Sequence, residues 1–210
     1  MDRVKGKVAL VTGARRGLGA AIAVMLAKEG AKVAISDRKA DGSEVVLQQI
    51  EDVGSEAIFV EHDVSSEDSW EQAVTAVTGK FGKLDILVNN AGVGAGKNIE
   101  AASLEDWRWV MSINLDGTFL GTQKAIETMK TTGGGSIVNI SSIEGLVGDR
   151  RMVAYDASKG GIVMLSRSAA LHCAKNKYNI RVNTVHPGFA ALVVFNSPRD
   201  ADRFERFQSR

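Results

Sequence analysis

The chain has 210 residues, is 44% hydrophobic and 24% charged, and carries a formal net charge of +1. That balance describes one soluble domain able to bury roughly 70% of its unfolded surface, and it excludes an electrostatic case for nucleic acid or an anionic membrane. A single cysteine, Cys173, rules out an internal disulfide or a thiolate metal cage; His62, His172 and His186 lack ligand spacing, so structural histidines and no metal are expected.

The opening "MDRVKGKVALV" lacks the apolar core of a signal peptide, and no later apolar run is long enough to span a bilayer. A cytoplasmic protein is therefore expected. The opening runs straight into a first strand at about 7–12, followed by "TGARRGLG", whose Gly13, Gly17 and Gly19 are spaced GxxxGxG rather than GxGxxG. Between a buried strand and a helix at about 17–29, Gly13 allows a tight turn and Gly17 lets the backbone approach a bulky anion. Gly19 lets the helix pack close to the strand, and the helix N-terminus directs unpaired N–H groups to the same place, which suits a pyrophosphate. Glycine turns also occur with no ligand. Arg15, Arg16 and Leu18 complete the candidate cofactor-binding turn, with both arginines read as solvent-exposed groups that help attract the anion.

A second strand at about 32–36 leads into Asp37, where a carboxylate can accept hydrogen bonds from the adenosine ribose. It repels a 2′-phosphate, favouring NAD over NADP, whereas Arg15, Arg16 and Arg38 weigh the other way as partners for that phosphate. The carboxylate is judged the stronger because it meets the ribose directly. After a helix at about 41–53 and a strand at about 56–60 comes "EHDV", where Asp63 can bond the adenine amino group beside Val64. A helix at about 67–80 and a strand at about 84–88 lead to "NNAG", whose Asn90, Ala91 and Gly92 form a tight loop. Each of these alone is ordinary turn chemistry. Together they fall at the C-terminal ends of strands, where open parallel sheets bind ligands.

The next helix, about 104–131, carries Asn114 and Gly117 at its centre, both poor helix formers. They mark either a tolerated kink or a helix opened to hold a water or ligand. A fifth strand at about 136–140 ends beside Ser142. On a helix at about 152–175, Tyr155 and Lys159 are four apart and share a face. A nearby ammonium lowers a phenol's pKa and makes it a usable acid/base, and Ser142 can bond the same substrate oxygen. A sixth strand follows at about 180–185. The alternation predicts an α/β fold: one Rossmann-type domain over 1–210, a doubly wound parallel sheet flanked by helices. The two long helices suit a homodimer or homotetramer interface.

From about residue 4 to 190 the chain resembles the short-chain dehydrogenase/reductase family, on T12-G-A-R-R-G-L-G19, N89-N-A-G92, Asn114, Ser142, Y155-D-A-S-K159 and H186-P-G188. The resemblance implies Tyr155 as catalytic acid/base and Ser142 as the group that polarises the substrate oxygen. It implies that Lys159 lowers the Tyr155 pKa and grips the nicotinamide ribose, and that Asn114 holds a water in the proton relay. Pro187 and Gly188 join the cofactor-binding set. Hydride passes between the carbinol carbon and the nicotinamide, whose redox chemistry the cofactor supplies.

The pattern breaks near the C-terminus, where Ala190 and Leu192 stand in place of the family's hydrophobic residue and cofactor-contacting Thr. No further strand is visible in "SPRDADRFERFQSR", so the family's last strand is apparently lacking and 189–210 is atypical and short. The sixth strand is then an exposed edge, the substrate lid is incomplete, and Phe204 and Phe207 form a short amphipathic helix or fray. Val93, Gly94, Ala95, Glu144, Leu146, Val147 and Phe189 give a mostly apolar pocket, suited to a hydrophobic secondary alcohol or ketone. Glu144 is either a specificity group or a loop carboxylate. An NADP-dependent ketoreductase and a weakly active oligomer-forming protein are the competing readings.

Overall fold

A computed structural model describes residues 2–188. Within them, six parallel strands lie in the order β3-β2-β1-β4-β5-β6: β1 (Val8–Thr12), β2 (Lys32–Asp37), β3 (Ala57–Glu61), β4 (Ile86–Asn89), β5 (Gly135–Ile140) and β6 (Ile180–Val185). The connecting helices are α1 (Gly17–Lys28), α2 (Ser43–Glu51), α3 (Glu67–Phe81), α4 (Leu104–Met111), α5 (Gly117–Met129) and α6 (Val153–Lys175). The doubly wound sheet is as the alternation predicts.

Period two explains the layering. Val8 and Leu10 of β1 point into one apolar cluster with Leu87, Ile137, Trp70, Ala125 and Met129. Ala9 and Val11 point into the other, with Val33, Ile35 and Val88 of the sheet and Ala23, Ala27 and Ile50 of α1 and α2. All five residues of β1 are buried, which is why its run is continuously apolar. Because β1 pairs with β2 on one side and β4 on the other, the chain reverses direction there and a crevice opens beyond the strands' C-terminal ends.

The helix predicted over 104–131 is interrupted: α4 and α5 are joined by a π-helical turn, Ser112–Asp116, centred on Asn114. Ser103 begins α4 with a capping box to Asp106. α2 is shorter than predicted because Gly42, at φ 85°, stands before Ser43. The expectations for residues 189–210 (no last strand, an exposed edge, an incomplete lid, Phe189 in the pocket, Ala190 and Leu192 near the cofactor, the Phe204/Phe207 helix) lie outside the described residues. Among the described residues no helix is long and apolar enough to cross a membrane, and no His/Cys/Asp/Glu group could hold a metal.

Candidate active site

At the end of β1, the Thr12 hydroxyl oxygen accepts hydrogen bonds from the backbone N–H groups of Asn90 and Ala91, both at 3.0 Å. Asn90 Nδ2 donates back to the carbonyls of Thr12 and Gly13 at 2.9 and 3.1 Å. The glycine turn and the NNAG loop are thus one locked unit. Gly13 and Gly17 have φ of 62° and 63°, a left-handed conformation that favours glycine. A Cβ on Gly13 would sit 2.7 Å from Ala91 Cα, and one on Gly19 would sit 2.5 Å from the Gly13 carbonyl oxygen. Gly13 therefore serves the turn and Gly19 the close packing, as predicted. Arg16 precedes α1 with no side-chain cap, so the first-turn N–H groups are uncapped by any side chain beside the turn.

A cavity of about 440 Å³ opens here, between the glycine turn, Asp37, Asp63 and the NNAG loop. These residues fit a dinucleotide: left-handed glycines and a helix N-terminus at one wall, a carboxylate at the end of β2. Arg16 and Arg38 are exposed. Arg15 is not, contrary to the sequence reading. Its side chain is 19% exposed and is drawn across the rim, with Nη1 2.8 Å from Asp41 Oδ2 and Nε 3.8 Å from Asp37 Oδ1. Two nearby carboxylates attract it more strongly than solvent does. Asp63 Oδ1 accepts from the Ser65 N–H and hydroxyl at 3.0 and 2.6 Å, which holds its carboxyl below the usual range. Val64 is buried and its carbonyl accepts from Trp70 Nε1 at 2.9 Å. His62 beside them meets the Trp70 ring edge-on, and burial pushes its pKa down to about 4. Its Nδ1 lies 3.1 Å from the Ser36 hydroxyl, and the residue lines the cavity.

A second cavity, about 300 Å³, holds Ser142, Tyr155, Lys159, Pro187 and Gly188 together with Leu18. Both cavities are bordered by Asn90, Gly92 and Val93, so they are two ends of one crevice. Lys159 is 4% exposed, and its Nζ donates to the Ile140 carbonyl at 2.8 Å. Burial pulls its pKa down to about 8. Nζ lies 5.4 Å from the centroid of the Tyr155 ring. Burial holds the Tyr155 phenol above its ordinary range, the Ser142 hydroxyl works against that, and Glu144 and Asp156 add to it.

Asn114 is fully buried on the π turn. Its Oδ1 accepts from the Val93 N–H at 2.8 Å, and its Nδ2 donates to the Val93 carbonyl and the Ser158 hydroxyl at 2.9 and 3.0 Å. Both amide hydrogens are used to fasten the loop after β4 to α6. A Cβ placed on Gly92 would meet Asn114 Oδ1 at 3.3 Å and Lys159 Nζ at 3.6 Å, so those two side chains flank one small space.

The sequence profile described as short chain dehydrogenase matches residues 7–202. The chain belongs to this family. It is 49% identical over 190 residues to an NADP-dependent (R)-specific alcohol dehydrogenase of Lentilactobacillus kefiri, covering 90% of this chain and 75% of that one. It is 40% identical over 206 residues to a cyclopentanol dehydrogenase of Comamonas testosteroni, covering 98% and 82%. A crystal structure of a short-chain type dehydrogenase/reductase from Mycobacterium marinum superposes with a TM-score of 0.86 at 34% identity, over 89% of this chain and 76% of that chain. This short-chain dehydrogenase is an oxidoreductase of the alcohol dehydrogenase type.

Several residues that support its site escaped the sequence reading. Ser141 donates to the Lys159 carbonyl at 2.9 Å, and the His186 ring bridges the Thr184 hydroxyl at 2.9 Å and the Ser142 carbonyl at 3.1 Å. The Ser142 backbone is thereby pinned to the turn after β6. A Cβ on Gly94 would meet Met152 Cε at 3.4 Å and Tyr155 Cδ2 at 3.7 Å, which makes Met152 an apolar wall beside the phenol. Thr12 and His186 lay inside the quoted motifs and Ser141 directly follows β5, so a polar residue at a strand end was a readable signal; Met152 carried none. Leu146 and Val147, expected in the pocket, are more than half exposed. Glu144 is half-buried, with its carboxyl raised first by burial and then by Asp156 and Asp149.

Proposed function

We propose that this dehydrogenase interconverts a hydrophobic secondary alcohol and its ketone, using NAD(H), with Tyr155 as the acid/base. The observation that carries the reading is the convergence of Tyr155, Ser142 and Lys159 at one end of a crevice whose other end is the glycine turn. The cofactor, when bound, supplies the hydride chemistry.

The residues divide the remaining work. The N–H groups at the start of α1, beside Gly13, Gly17 and Gly19, receive the pyrophosphate; Asp37 accepts the ribose hydroxyls, and Asp63 and Val64 border the adenine. Asn90, Ala91, Gly92, Pro187 and Gly188 wall the nicotinamide half, and Lys159 grips its ribose. Ser142 holds the substrate oxygen. In the reducing direction Tyr155 hands its proton to that oxygen; in the oxidising direction it takes one back, which is favoured as pH rises because that step needs the phenolate. Asn114 acts with both amide hydrogens committed, so any relay water rests on the spare lone pairs of its carbonyl oxygens.

Asp37 at the end of β2 favours NAD. Arg15 beside it, and the NADP dependence of the Lentilactobacillus relative, favour the second reading, an NADP-dependent ketoreductase. Apolar groups at the substrate end, Val93, Gly94 and Met152, suit an uncharged carbonyl compound. On the outer face of α5 and α6, Phe119 is 46% exposed and lines a groove with Ile126, Leu165 and Ala169. A second copy covering that face would give a homodimer or homotetramer. The test is NADH and NADPH consumption with a panel of cyclic and aliphatic ketones. NADH-dependent turnover of apolar ketones is expected; no turnover with either cofactor would contradict the reading.

A further inference from the structure

The rim of the adenosine end holds one arginine that neither faces solvent nor faces the cavity freely. Arg15 Nη1 donates to both the backbone carbonyl and Oδ2 of Asp41, each at 2.8 Å. Its Nε stands 3.8 Å from Asp37 Oδ1 and is buried without a hydrogen-bond partner. The short contact is therefore to Asp41, four residues beyond the carboxylate that faces the ribose, and the guanidinium still carries an unmet donor. A guanidinium with a free donor is a natural partner for a phosphate. Arg16, Arg38 and Lys39, the other cations lining this cavity, are exposed.

We infer that Asp41 is a positioning residue for cofactor choice: it fastens Arg15 beside Asp37, which withholds that guanidinium from a 2′-phosphate and leaves Asp37 to a ribose 2′-hydroxyl. The inference rests on the proposed placement of the adenosine ribose at Asp37. With the latch closed, a 2′-phosphate meets two carboxylates and is left only the exposed cations Arg16, Arg38 and Lys39. With it open, Arg15 is close enough to Asp37 to swing to a phosphate there. The Asp41 side chain is 74% exposed, so the latch is weak, worth a few-fold in binding. Small energies of this size are what a switch of cofactor preference requires.

The test is equilibrium binding of NADH and NADPH to the full-length protein, followed by nicotinamide fluorescence, for wild type, Asp41→Asn, Asp41→Glu, Arg15→Gln and the Arg15→Gln/Asp41→Asn pair. Asp41→Asn is expected to move the NADPH-to-NADH affinity ratio toward NADPH by about fivefold, with an unchanged melting temperature, and Asp41→Glu to restore the wild-type ratio. In the Arg15→Gln background Asp41→Asn is expected to move the ratio little. An unchanged ratio in Asp41→Asn overturns the inference, and so does an equal shift without Arg15, which would mean simple charge removal. A wild type that already prefers NADPH overturns it as well, because the arginine is then not withheld. Wild-type protein that binds neither dinucleotide removes the placement of the ribose, and the inference with it.

Discussion

The two ends of the crevice are built from different materials. At the adenosine end the walls are largely backbone: left-handed Gly13 and Gly17, the start of α1, and a loop tied to β1 through Thr12. At the chemical end they are side chains held at a cost, with Lys159 nearly buried and its pKa pulled down to about 8. A binding surface made of backbone needs only that certain side chains be absent. A reacting surface needs charges placed where burial disfavours them, and stability is lost there.

The difference can be broken most severely at the adenosine end. Gly13→Val forces a β-branched residue to φ near 62° and a Cβ into Ala91 Cα. A stability loss of about 2–4 kcal/mol by urea melt is expected from the combined strain and overpacking, with dinucleotide binding abolished. At the chemical end the sign reverses. Lys159→Met removes a buried ammonium, so turnover collapses while stability at pH 7 rises by roughly 1–3 kcal/mol. The folded-state pKa of about 8 lies below the ordinary lysine value of 10.5, so the unfolded chain binds more protons in that window and wild-type stability rises with pH through it. The advantage of Lys159→Met should fade above pH 10, as thermal melts across pH will show.

His62 sharpens the comparison, because it brings a buried titratable group to the adenosine end. Its pKa of about 4 against an ordinary 6.5 means the unfolded chain binds the extra proton between those values. Stability is fully present above pH 6.5 and is lost as pH falls through 4, by an amount of roughly 1–3 kcal/mol. His62→Gln should flatten that part of the melting-temperature profile; a slope identical to wild type would place the loss elsewhere. The smallest effect is expected from Arg16→Gln, an exposed side chain whose loss should change stability by less than about 0.5 kcal/mol.

The same contrast governs what could be read from the sequence. Glycine positions, the alternation of strands and helices and the Tyr155/Lys159 pair were legible because each leaves a local pattern: a spacing, a period, a one-turn separation. The break at Asn114 was legible from two poor helix formers, but not that its amide would be spent on Val93 and Ser158. Those partners are distant in sequence and meet only through the sheet. Arg15 was misread for the same reason, since Asp41 approaches it from beyond β2. The burial that raises the Tyr155 pKa was not legible either, because it is a property of the whole fold.

The central claim is that the Tyr155 phenol exchanges the proton at a crevice that binds the nicotinamide cofactor. It is tested most directly by measuring NADH binding and single-turnover ketone reduction together in Tyr155→Phe. Binding within about twofold of wild type and a rate lower by about a thousandfold are predicted. Undiminished reduction with intact binding would contradict it.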